Sequence, residues 1–184
     1  MSRLVDTTMP ASRRSIARQL PFVGALMIVT GFAFATGPGL ATAFWLALVT
    51  PALVVFDVRY RRLPNALVLP GAVTLLIDLG WSWAVRGAFP MTSIVAVALS
   101  LVLLLIMNAL GGLGMGDVKL ALVQCGCLSV VSPAHAAAAL VLAFVLGGIV
   151  SAVLLIRGSA RGSRIPFGPF LLSGFWLAVL MLIA

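Results

Sequence analysis

The chain has 184 residues, of which 62% are hydrophobic and 9% charged, and its mean hydropathy is +1.22. A soluble domain carries roughly 25% charged residues, so this composition excludes a water-soluble globule and implies an integral membrane protein. The net charge of +8 is no nucleic-acid signature, because the arginines stand in loops between apolar runs, where they encode topology.

The chain opens with a polar tail, residues 1–19, that carries Arg3, Asp6, Arg13, Arg14 and Arg18. Seven apolar runs follow, at 20–35, 40–56, 66–84, 92–110, 118–131, 134–156 and 170–183. Their Ala, Leu and Val content predicts helices rather than the alternating pattern of a membrane barrel. The expected fold is an all-α polytopic membrane helix bundle of about seven transmembrane helices, within a range of six to eight. It forms one membrane-embedded domain over 20–184, behind a basic cytoplasmic tail over 1–19. Ala33-Phe34-Ala35 has the small-x-small form of a signal-peptide cleavage site. The run before it is long for a signal peptide, however, and Gly37-Pro38-Gly39 reads as a tight turn between two spans.

Orientation follows from the basic residues. With the N-terminus in the cytoplasm, Arg3, Arg13, Arg14, Arg18, Arg59, Arg61, Arg62, Lys119, Arg157, Arg161 and Arg164 all fall inside, and only Arg86 falls outside. The positive-inside rule therefore sets this orientation. Trp81 and Trp83 then stand near the outer end of the third run as interface aromatics, and His135, the only histidine, falls outside.

The chain has four aspartates and no glutamate. Asp57 and Asp117 each stand where an apolar run meets a polar or Gly-rich loop, and the topology puts both on the cytoplasmic side. A carboxylate at such a place is costly and reads as functional. Two carboxylates brought close cannot both ionise easily, so one keeps a proton. The charged member can take a proton from water while the protonated member polarises a peptide carbonyl. That chemistry hydrolyses a peptide without a metal or a cofactor. The competing reading is that each aspartate is a helix cap or an interface charge, and spacing alone leaves both readings open.

The neighbours fit a site. Gly111, Gly112, Gly114 and Gly116 let the backbone bend and a substrate strand approach. Asp117 is expected in the first turn of a helix, where the dipole favours its ionised form. Pro64 stiffens the start of the third span, with Asn65 as its expected N-cap. Arg59, Arg61, Arg62 and Lys119 keep the mouth positive. Elsewhere, Asp78 reads as an outer-interface or interhelical polar group. Gln124, seven residues after Asp117, reads as an interhelical hydrogen-bonding group that shares its helix face. Asn108 reads as a helix end. Gly126, Ser129, Gly147 and Gly148 read as helix-packing positions. Cys125 and Cys127 cannot make a disulfide framework, and a lone C-x-C is not a zinc site.

Three segments resemble motifs of the type IV prepilin peptidases, a family of GxGD membrane aspartyl peptidases. Asp57-x5-Leu63-Pro64-Asn65 is similar to its D-x5-[I/L]-P-N motif. Gly114-Met115-Gly116-Asp117-Val118-Lys119-Leu120 is similar to G-x-G-D-x-K-L, and Ile165-Pro166-Phe167-Gly168-Pro169-Phe170 to I-P-F-G-P-[FA]. The resemblance implies that Asp57 and Asp117 are catalytic, with Pro64, Asn65, Gly114, Gly116 and Lys119 supporting them. It implies that the third motif borders the site. It also implies cleavage of the basic leader of pilin-like precursors at the cytoplasmic face of a bacterial inner membrane. The larger members add a loop with two C-x-x-C pairs and often methylate the new N-terminus. This chain has neither the cysteines nor such a loop, and resembles the short peptidase-only members that serve tight-adherence (Flp) pili. Expected partners are the pilin-like substrate and the lipid bilayer, with no nucleic acid. The alternatives are a non-enzymatic membrane assembly or ion/proton transport protein, and an inactive peptidase homologue. Interrupted mid-membrane helices and internal repeats, which would favour transport, are not evident in the sequence.

Overall fold

The structure is a computed structural model that describes residues 13–35, 37–157 and 166–184. Its described residues form seven helices and no strand: α1 (Arg13–Phe34), α2 (Leu40–Tyr60), α3 (Asn65–Arg86), α4 (Met91–Ala109), α5 (Met115–Ser129), α6 (Pro133–Ile156) and α7 (Gly168–Met181). The expected helical membrane bundle is what the chain forms. α2, α3, α4 and α6 are each long and apolar enough to cross a bilayer, while α7 and the apolar part of α1 are shorter. α1 begins at Arg13, inside the stretch read as a tail. The expectations for Arg3 and Asp6, and for Arg161, Arg164 and Ile165, lie outside the described residues.

The shortest path to a core is around α5. Ten of its residues, Val118 and Leu120 among them, are buried. It packs against α2, α3, α4, α6 and α7. Helices in lipid gain nothing from hydrophobic exclusion and associate through close packing, which small residues allow. Gly126 of α5 is pressed against the Leu75 side chain of α3, and Gly174 of α7 against the Ala139 carbonyl of α6. At Gly71 of α3, an added Cβ would meet Val123 at 3.0 Å and Trp45 at 3.1 Å. Phe32, Leu76, Leu99 and Ile156 remain exposed on the outside, as lipid-facing side chains should.

Chain direction alternates through the bundle, so the two ends differ. At one end lie the finish of α2, the start of α3, the finish of α4, the start of α5, the finish of α6 and the start of α7. Asp57, Asp117, Arg61, Arg62, Lys119 and Arg157 belong to this end. Arg86 belongs to the other, where it closes off α5: its Nη2 donates to the Val130 carbonyl at 2.7 Å, and Ser93 Oγ donates to Ser129 O at 2.9 Å. These contacts satisfy carbonyls that a helix C-terminus leaves unpaired.

Asp78 is an interhelical group with a defined role at that same end. It is 4% exposed. Its carboxylate accepts the main-chain N–H of Ala41 (3.3 Å), the N–H of Thr42 (2.8 Å) and the Thr42 hydroxyl (2.6 Å). A side chain of α3 therefore caps α2, whose own cap position is Gly39 with nothing to offer.

Candidate active site

Asp57 lies in the last turn of α2, directly after the apolar run that ends at Phe56. Helix α2 stops because Arg61 takes the left-handed conformation at φ +50°, with its N–H donating to the Asp57 carbonyl at 2.8 Å. This C-terminal turn sends the chain through Leu63 and Pro64 into α3. The Asp57 carboxylate points inward and the residue is 5% exposed. Its Oδ2 accepts the main-chain N–H of Gly168, the first residue of α7, at 2.7 Å.

Asp117 is the third residue of α5, as its motif predicts, and it is half-buried. The preceding loop turns at Gly111, which has φ +79°, a conformation that favours glycine. Asn108 does more than end α4: its Nδ2 donates to Leu113 O at 2.7 Å and so holds the loop. Asp117 Oδ2 in turn accepts the Gly114 N–H at 3.3 Å, which is one half of a capping box on α5, glycine having no side chain to make the other. The residue precedes the apolar run of α5, which begins at Val118. Burial, followed by the charge of Asp57, pushes its carboxyl up to about 6, against the opposing pull of the Gly114 N–H.

The two motifs are packed together. An added Cβ on Gly116 would stand 3.1 Å from the Leu63 Cβ, so a side chain there would crowd the α2–α3 loop against α5. Lys119 Nζ donates to Asn65 Oδ1 at 3.1 Å. This corrects the expected capping role of Asn65. Pro64 occupies the cap position of α3 with no side-chain cap bond, and Asn65 is the first helical residue. Its side chain serves α5 instead.

Asp57 and Asp117 both line one cavity of about 860 Å³. Its walls change character around the pair. Tyr60, Arg61 and Arg62 form a basic rim, while Met107, Leu113, Phe144, Phe167 and Phe170 supply an apolar wall. A smaller neighbouring cavity of about 270 Å³ also touches both aspartates, with Leu63, Gly114 and Gly116. Pro64, Asn65 and Lys119 line neither and stand behind the site. The third motif borders the cavity, as the resemblance implies, through Pro166, Phe167 and Phe170.

Some of the site was beyond sequence reasoning. The Gly168 N–H is a main-chain donor with no side-chain signal. Gly147 does pack as expected, against Phe167, but Gly148 has nothing within 4 Å and lines the cavity. Gln124 is buried, lines neither cavity, and its Nε2 has no hydrogen-bond partner. The expected interhelical bond from that amide nitrogen is therefore not formed. Among the described residues, no three His, Cys, Asp or Glu side chains gather as a metal-binding group.

Comparison with curated proteins gave no match, and comparison with solved structures gave none. The sequence pattern of the type IV leader peptidase family matches residues 41–156. That span covers well over half of the chain and includes both aspartates, the loops that hold them and most of the cavity wall. With an apolar helical bundle around a cavity that two carboxylates share, this membrane protein belongs to the type IV leader peptidase family.

Proposed function

We propose that the protein is an aspartic-type endopeptidase that removes the basic leader of type IV pilin-like precursors at the cytoplasmic face of a bacterial inner membrane. The observation that carries this reading is the pair Asp57 and Asp117 facing one cavity at the basic end of the bundle. The positive-inside rule assigns that end to the cytoplasm. The apolar wall suits the start of a pilin's hydrophobic helix, while the rim of Arg61 and Arg62 offers no charge attraction to the basic leader.

The reaction needs one water and the two carboxyls. The ionised carboxylate takes a proton from water as the water oxygen bonds to the peptide carbon. The protonated carboxyl gives its proton to the carbonyl oxygen, which forms a gem-diol. On collapse, the first carboxyl passes its proton to the leaving nitrogen as the carbon–nitrogen bond breaks. The second recovers a proton from a diol hydroxyl, and the pair returns to its starting state. No step uses a metal or cofactor.

The test is processing of a pilin-like precursor in membranes that contain the purified, reconstituted protein, with the product identified by mass. We expect a new N-terminus at the junction of the basic leader and the apolar helix, with no added methyl group. A precursor left whole, or cut at unrelated positions, overturns the reading.

A further inference from the structure

We infer that the Gly168 N–H is a positioning donor that assigns the two carboxyls their roles, with Asp57 as the general base and Asp117 as the general acid. The inference rests on the peptidase reading above and goes beyond it, because the chemistry of a carboxyl pair does not say which member holds the proton.

The site is asymmetric in its donors. Asp57 Oδ2 accepts a short main-chain bond of 2.7 Å from the N-terminus of α7, a helix of 14 residues. Asp117 Oδ2 accepts only the Gly114 N–H, at 3.3 Å. A main-chain N–H can donate but not accept, so it stabilises the charged carboxylate more than the neutral acid, whose carbonyl oxygen is a weaker acceptor. Charge-assisted bonds of this kind are about twice as strong as neutral ones. The helix dipoles do not separate the pair, since α7 directs its N-terminus at Asp57 and α5 its own at Asp117; the length of the donor bonds does. The donor thus selects Asp57 as the member that carries the charge. It also occupies Oδ2, which leaves Oδ1 free to meet the water.

The fit around this bond is tight. A Cβ added to Gly168 would stand 2.7 Å from Asp57 Oδ2 and 3.1 Å from its Cγ. Only glycine brings the N–H this close. The bond spans 111 residues of sequence, and its donor lies beyond the matched family span, which ends at residue 156. The other titratable groups around the cavity are Asp117 from α5 and Tyr60, Arg61 and Arg62 at the end of α2 and just after it. Described residues of α4, α6 and α7 bring no titratable side chain to its lining.

The decisive variant replaces the Gly168 amide by an ester, with glycolate incorporated in place of the glycine during cell-free synthesis into lipid nanodiscs. Shape is kept and one donor is lost. We expect kcat/KM near neutral pH to fall about ten- to hundredfold, the range for one hydrogen bond to a charged group. The acid limb of the pH–rate profile should move to higher pH, because Asp57 ionises less readily without its donor. KM and helicity should stay at the wild-type level, and the thermal transition should fall only by the loss of this bond and the weakening of the Phe167 carbonyl that accepts from Phe170 and Leu171. An acid limb that does not move overturns the assignment, whether or not the rate falls. A shift confined to the alkaline limb overturns it too, since it gives the proton to Asp57.

A second measurement needs no activity. In Asp117→Asn protein, the infrared band of the protonated Asp57 carboxyl should persist to higher pH in the ester form than in the amide form. An identical titration in the two forms overturns the inference. Wild-type protein that leaves every precursor uncut defeats the peptidase reading instead, and this spectroscopic comparison still decides the role of the donor.

Discussion

Lys119 of α5 donates to Asn65 of α3 across 54 residues of sequence, at 3.1 Å, and so pins together the two segments that carry the aspartates. Gly116 lies against Leu63 beside this link. The spacing of Asp57 from Asp117 is therefore set by a side-chain tie and a backbone contact, not by the helices alone. Lys119→Met and Asn65→Ala should each lower kcat/KM about threefold to tenfold, since the bond is near the surface and is worth roughly 1 kcal/mol. The double variant should lose no more than either single one, because both remove the same contact. Additive losses in a double-mutant cycle would show that the two residues act apart.

Asp57→Asn and Asp117→Asn should each abolish precursor cleavage while insertion into the membrane is unchanged. An amide keeps the volume of the carboxyl but cannot exchange the proton. Processing is followed by the mobility shift of the precursor, and insertion by protease protection of engineered tags. Full processing by either variant rules out a paired-acid mechanism.

The aspartates were legible because a carboxylate beside an apolar run is expensive, so its presence needs a reason. The helices were legible for a similar cause: seven apolar runs leave little choice in a bilayer. Asn65 was misread because a capping rule sees only local sequence, while its partner Lys119 lies on another helix. Gly148 was misread because a glycine in an apolar helix looks the same whether it faces a neighbour or a cavity. The Gly168 donor left no side-chain trace, and the third motif, which contains Gly168, gave no sign of the bond it makes. What the sequence could not convey was which helix ends meet.

Cleavage should survive exhaustive chelation. The carboxyl pair can carry the reaction without a Lewis acid, and the expected nucleophile is water activated by a carboxylate. Activity is measured after dialysis against a strong chelator, with and without each common divalent ion added back. Loss on dialysis followed by recovery with a single ion would refute a metal-free mechanism.

Asp78 supplies the contrast with the proposed catalytic pair. It is as buried as Asp57, but its partners are Ala41 and Thr42 at the far end of the bundle, and it lines neither cavity that holds the pair. Its carboxylate satisfies two main-chain donors and a hydroxyl that would otherwise stand buried without partners. Asp78→Ala should therefore cost about 2–4 kcal/mol of stability, read as a lower thermal transition in detergent. Asp78→Asn retains the acceptor oxygen and should cost less, about 1–2 kcal/mol. At a temperature where both variants stay folded, kcat/KM for precursor cleavage should match the wild type. A folded Asp78→Asn protein that has lost cleavage would overturn this division, and would mean that the far end of the bundle takes part in the reaction.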